Sequence, residues 1–100
     1  MRHQYKYPND LSVARKRLSL SCKRVSSLIG KTPHTLTRYE SGAAVPPLRT
    51  LLKLEIIYRM PVAFLYPSLY RNLREELRAR ESLNERPREV FRRRAEEGKG

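Results

Sequence analysis

From Asn9 to Leu83 the apolar side chains return every three or four positions, and no stretch shows the alternation of a half-buried strand. Asn9 or Asp10 can cap a first helix, whose apolar stripe is Leu11, Ala14 and Leu18. Ser19-Leu20-Ser21 breaks the period, and Ser21 suits the N-cap of a second helix, Cys22 to Ile29, facing inward with Val25, Leu28 and Ile29. Gly30 ends it, because a left-handed residue is cheapest as glycine. Thr32 caps a third helix with Pro33 in its first turn, where a missing N–H costs nothing. Leu36 and Tyr39 face inward there, and Gly42 closes it.

Residues 43–47 read as a loop. The spacing then predicts the most apolar helix, Leu48 to Tyr58, with Leu48, Leu51, Leu52, Leu54, Ile56 and Ile57 as its apolar residues. Met60-Pro61 restarts the chain as a short helix carrying Val62, Phe64 and Leu65, which Pro67 stops. A sixth helix runs from Ser68 to about Leu83, with Leu69, Leu73 and Leu77 four residues apart. Pro87 interrupts the pattern, leaving residues 88–97 as a marginal helix or a disordered segment.

The expected class is therefore all-α, with an N-terminal arm at 1–8, a folded part at 9–67 and a charged helical extension at 68–100. One hundred residues support one small core of three to five helices, and not a large cleft. Cys22 is the sole cysteine, so an intramolecular disulfide is excluded. The first residues lack a charged-then-apolar leader, and Lys53, Glu55 and Arg59 interrupt the longest apolar run, so a soluble cytoplasmic protein with no membrane partner is expected.

Charge changes this picture most. The formal net charge is +12. Residues 1–70 hold twelve lysines and arginines against three acids (Asp10, Glu40, Glu55), a net of +9, whereas residues 71–100 hold ten against seven. The basic surface belongs to the folded part and points to nucleic acid. Enzyme chemistry is not expected. Glu40 and Glu55 are the only glutamates in the folded part, and no Ser/His/Asp set or glycine-rich phosphate loop is present. His3, His34 and Cys22 lack the spacing of a metal site, and no cofactor is implied.

The candidate chemistry lies between Leu20 and Gly42: two short helices joined at Gly30, the arrangement a helix-turn-helix uses to place one helix in the DNA major groove. Arg38 is forked and permanently charged, so it can bond guanine O6 and N7 together. His34 can donate to or accept from a base edge, and Thr37 offers a hydroxyl and a methyl. Lys23, Arg24 and Lys31 flank the turn and suit phosphate neutralisation, which positions the protein without reading sequence. Arg49 begins another helix, whose first N–H groups can also hold a phosphate.

As a set, these residues resemble the phage repressor and Cro-like (Xre-type) helix-turn-helix family. The resemblance runs from about Leu11 to Leu65 through Leu11, Ala14-Arg15, Leu18, Leu20-Ser21, Val25, Leu28-Ile29-Gly30, Thr32, Thr35-Leu36-Thr37-Arg38-Tyr39-Glu40, Gly42, Pro46, Leu48 and Thr50-Leu51-Leu52-Lys53-Leu54. It implies a compact five-helix, repressor-like bundle, here with a C-terminal helical extension. It also implies that Pro33, His34, Thr37 and Arg38 sit where relatives reach base edges. Thr32, Thr35 and the start of the second helix, at Cys22, sit where relatives touch phosphates. Arg15 and Glu40 match a pair that ties the first helix to the end of the third, and such a pair also prevents a carboxylate from repelling phosphate.

Four positions depart from the family pattern. Cys22 stands for a usual polar residue, and a thiol is a poor donor. Lys31 stands for a small or apolar residue. Pro33 can read only by shape or apolar contact. Glu55 stands for a small residue and needs a cation if buried, from Arg59 or Arg15. Cys22 also opens a helix ahead of Lys23 and Arg24, a setting that favours thiolate and a redox switch, although a lone cysteine is more often merely tolerated.

Double-stranded DNA is the partner expected first, bound by a transcriptional regulator of repressor type. A homodimer through Leu69, Leu73 and Leu77 would give it two half-sites, unless that stripe packs back on the domain. Two other functions fit the same residues: an antitoxin-type protein that holds a protein partner with its extension, and a nucleic-acid binder that uses charge alone.

Overall fold

The computed structural model describes residues 6–83, and every regular element among them is helical. Six helices follow in order: α1 (Leu11–Arg17), α2 (Cys22–Leu28), α3 (Pro33–Ser41), α4 (Leu48–Tyr58), α5 (Val62–Leu65) and α6 (Pro67–Leu83). The all-α bundle with a C-terminal helix is thus the fold of the chain. The segment 88–97 lies outside the described residues. Two units divide the chain, Met1–Tyr70 and Arg71–Gly100, with the boundary inside α6.

The first unit is organised by local chemistry at each helix end. The Ser21 hydroxyl accepts the Arg24 N–H at 3.0 Å and starts α2. Thr32 accepts the Thr35 N–H at 3.2 Å and starts α3, with Pro33 as its first residue. Gly30 and Gly42 take left-handed φ values of 74° and 84°, as the ends of α2 and α3 require. At α1 the two candidate caps divide the work. Asp10 holds the cap position without a side-chain bond, while Asn9 Oδ1 accepts the Leu11 N–H at 2.9 Å.

One core gathers Leu11 and Ala14 from α1, Val25 and Ile29 at α2, Leu36 and Tyr39 from α3, Leu54 and Tyr58 from α4, and Leu65 with Tyr66 at α5. Helix α2 packs on α3, α1 on α3, and α4 on α5. Leu28, assigned to the inward face of α2, is instead exposed, as are Leu18 of the first apolar stripe and Leu48, Leu52, Ile56 and Phe64 from the apolar sets of α4 and α5. The core fills with fewer side chains than the sequence offers, which is ordinary for a domain this small. The short helix α5 ends at Leu65, ahead of Pro67, and Pro67 is itself the first residue of α6, one position before the expected start at Ser68; a first position needs no N–H.

Glu55 finds a neutral partner in place of the expected cation. Its Oε1 accepts the Val62 N–H at 3.1 Å, so a carboxylate of α4 satisfies the start of α5. The second unit's described part is the remainder of α6, where Leu73 and Leu77 are exposed.

Candidate nucleic-acid interface

The α2–α3 turn is stitched by main-chain bonds. The Gly30 N–H donates to Ser27 O at 3.1 Å and the Lys31 N–H to Ser26 O at 2.8 Å. Buried Ser26 donates its hydroxyl back to Lys23 O, so it leaves no orphan polar group under the turn. This rigid corner presents α3 with Leu36 and Tyr39 inward.

The opposite side of α3 carries Pro33, His34, Thr37 and Arg38, all exposed. Their spacing places them on one face over a nine-residue helix, a length of about 14 Å. Lys23, Arg24, Lys31 and Thr32 are exposed on α2 and the turn. Thr35 is half-buried, and its hydroxyl accepts from Thr32 Oγ1 at 3.1 Å. Arg49 is exposed in the first turn of α4, whose amides have no side-chain cap. Cys22 behaves differently from its neighbours, for it is half-buried against the hydrophobic core.

The electrostatics of this face depend on one carboxylate. Glu40 is the only acid in α2 or α3. Arg15 Nε donates to Glu40 Oε2 at 2.6 Å and Nη2 to Oε1 at 3.2 Å, while Nη1 donates to Leu20 O at 3.0 Å. The two side chains are only 12% and 11% exposed, so water screens the pair little. The hydrogen bond to Glu40 raises the Arg15 pKa further, against the opposing cost of burial. Neutralised in this way, the acid leaves Lys23, Arg24, Lys31 and Arg38 as a face of one sign.

The sequence pattern did not reveal two other features. Ser41 lies one turn beyond Thr37 and Arg38 and is exposed, but its hydroxyl is engaged, donating to Arg38 O and accepting the Ala43 N–H. Tyr7, at the end of the arm, is tied to the end of α3. The Tyr7 N–H donates to Gly42 O at 3.1 Å, and Asn9 Nδ2 donates to Tyr7 O and Tyr39 O at 2.8 and 2.9 Å. Its spacing from Thr37 and Arg38 could have singled out Ser41, whereas nothing local signalled how the end of the arm is tied down. Among the described residues no group of three His, Cys, Asp or Glu side chains is placed to hold a metal.

The family model described as helix-turn-helix, of the Xre/Cro-like type, matches residues 11–65, over half of the chain. The chain belongs to the helix-turn-helix family. No match exists among the curated proteins or the solved structures. Helix-turn-helix proteins of this type form a family of DNA-binding regulators and not of enzymes. Helix α6 lies beyond the matched residues and inherits no role from the family. No helix among the described residues is long and apolar enough to cross a membrane.

Proposed function

We propose that the protein is a sequence-specific double-stranded DNA-binding transcriptional regulator acting as a repressor, with α3 in the major groove. The observation that carries this reading is the single exposed face of α3, with Pro33, His34, Thr37 and Arg38 beside three further exposed cations, Lys23, Arg24 and Lys31. Arg38 supplies the bidentate guanine contact, His34 and Thr37 reach neighbouring base edges, and Pro33 packs by shape. Lys23, Arg24, Lys31 and Arg49 neutralise phosphates, and Thr32 with Thr35 supports the backbone contact at the start of α3. Cys22 contributes through its amide alone, since its side chain packs inward.

Repression by occupancy needs an affinity that one small reader rarely reaches, and two copies on half-sites about 34 Å apart provide it. Helix α6 supports a homodimer. None of its residues is buried, and an isolated helix of its length is marginal in water. Leu69 packs against the core of the first unit, so the seam is carried by Leu73 and Leu77.

Selection of sites from a random duplex library, with Arg38→Ala in parallel, tests the reading. A palindrome that degrades at one base per half-site in the variant supports a dimeric reader. Enrichment of nothing by either protein overturns it in favour of an extension-bound protein partner or charge-only binding.

A further inference from the structure

The outer face of α4 is apolar and cationic at once. Leu48, Leu52 and Ile56 stand one turn apart and are 69%, 46% and 74% exposed, while Thr50, Leu54 and Tyr58 take the buried side. Arg49 and Lys53 run beside that stripe with the same spacing, both exposed. The single acid of α4, Glu55, is half-buried and holds the Val62 N–H, so it does not offset them. Scattered exposed leucines need no explanation. Three large aliphatic side chains in register, over about 12 Å of helix, form a contiguous patch of the kind that marks a binding surface.

We propose that this face docks an acidic amphipathic helix of a partner protein. Apolar side chains at a four-residue repeat would cover Leu48, Leu52 and Ile56, and carboxylates alongside would meet Arg49 and Lys53. Charge decides against a second copy, because a two-fold contact sets the same cationic flank against itself. Duplex DNA offers phosphates to the cations but little apolar surface to the stripe. An anionic bilayer would have to take up a helix whose other side is fixed in the domain core, with only three side chains to insert.

The inference does not depend on the repressor reading, and its test separates the two. The full chain, with labelled leucine and isoleucine methyls, is titrated with a synthetic 15-residue peptide that has leucine every fourth position and glutamate elsewhere. A counterpart with lysine for glutamate serves as control. Methyl shifts should centre on Leu48, Leu52 and Ile56, and the glutamate peptide should bind about tenfold tighter. Ile56→Glu and Lys53→Glu should each weaken it about fivefold or more while helicity and DNA binding stay unchanged.

Three results overturn the proposal: methyls that do not shift, equal binding of the lysine peptide, or tighter binding of phosphatidylglycerol vesicles to the same methyls. A dimer that Ile56→Glu dissociates overturns it too, by giving the face to a second copy. Loss of DNA binding in the wild-type protein would count against the repressor reading and leave this one untouched.

Discussion

Arg15 holds Glu40 with two hydrogen bonds, of 2.6 and 3.2 Å, and by doing so fixes α1 to the C-terminal half of α3. A fork-to-carboxylate pair at about one-tenth exposure is oriented as well as stabilised. Breaking it from either side leaves a poorly hydrated charge. Glu40→Gln is expected to cost about 2 kcal/mol, and Arg15→Ala more, because Arg15 also satisfies Leu20 O. The double variant should cost less than the sum, as urea unfolding of all three proteins would show. The two single variants should also part in DNA binding. Arg15→Ala bares a carboxylate beside the basic face and should weaken binding further than Glu40→Gln does.

Asn9 is the second tie on α3. Its amide bridges Tyr7 O and Tyr39 O, and its carbonyl accepts the Leu11 N–H, so one side chain satisfies three main-chain groups. Asn9→Ala should destabilise the protein by about 1–3 kcal/mol, since partly buried carbonyls lose their donor. Amide exchange at Leu11 and Gly42 should rise with it. Wild-type exchange rates at both sites would sink the idea.

These ties show where sequence reading succeeds and where it stops. Ser21, Gly30, Thr32-Pro33 and Gly42 announce helix ends because capping depends on residues within one turn. Burial is less local. Leu28 and Ile29 are both apolar at the end of α2, yet only Ile29 is buried. Residue type states what a side chain prefers and not whether a small core has room for it. The bridge from Asn9 to Tyr39 spans thirty positions and leaves no periodic trace. The α3 face was legible because its polar residues and its buried Leu36 and Tyr39 follow from one helical period. Cys22 was less so, because a cysteine on the boundary of an apolar face fits either side.

Tyr66 gives the fold an alkaline limit. Its ring is buried, its hydroxyl has no hydrogen-bond partner among the described residues, and burial pushes its pKa up to about 12 from 10.0. The folded state therefore holds this proton more tightly than the unfolded chain. That contribution is complete below pH 10 and is lost as pH rises toward about 12. Burial moves Tyr58 in the same direction. Tyr66→Phe should change stability at neutral pH by less than about 1 kcal/mol and flatten the decline above pH 10. An alkaline unfolding curve as steep as wild type would refute the assignment.

Arg59 ends α4 in the left-handed region, at φ 58°. A side chain there costs energy that glycine avoids, and this position follows a helix, where glycine is favoured. Arg59→Gly should raise stability by up to about 1 kcal/mol, read as a higher thermal midpoint. A lowered midpoint would mean that the arginine side chain contributes more than its backbone costs.

Arg38 and Lys23 separate reading from neutralising. Both are exposed on the α2–α3 corner, but only Arg38 lies on the α3 face with His34 and Thr37. If α3 reads base edges, Arg38→Ala should cost about 1–3 kcal/mol on the preferred site and far less on random duplex. Lys23→Ala should weaken both by a similar factor and lower the slope of log affinity against log salt by about one. Titrations of the two variants at several salt concentrations give both quantities. Equal losses on specific and random duplex for Arg38→Ala would make the corner a charge-only binder, and α3 would lose its role as the reading helix.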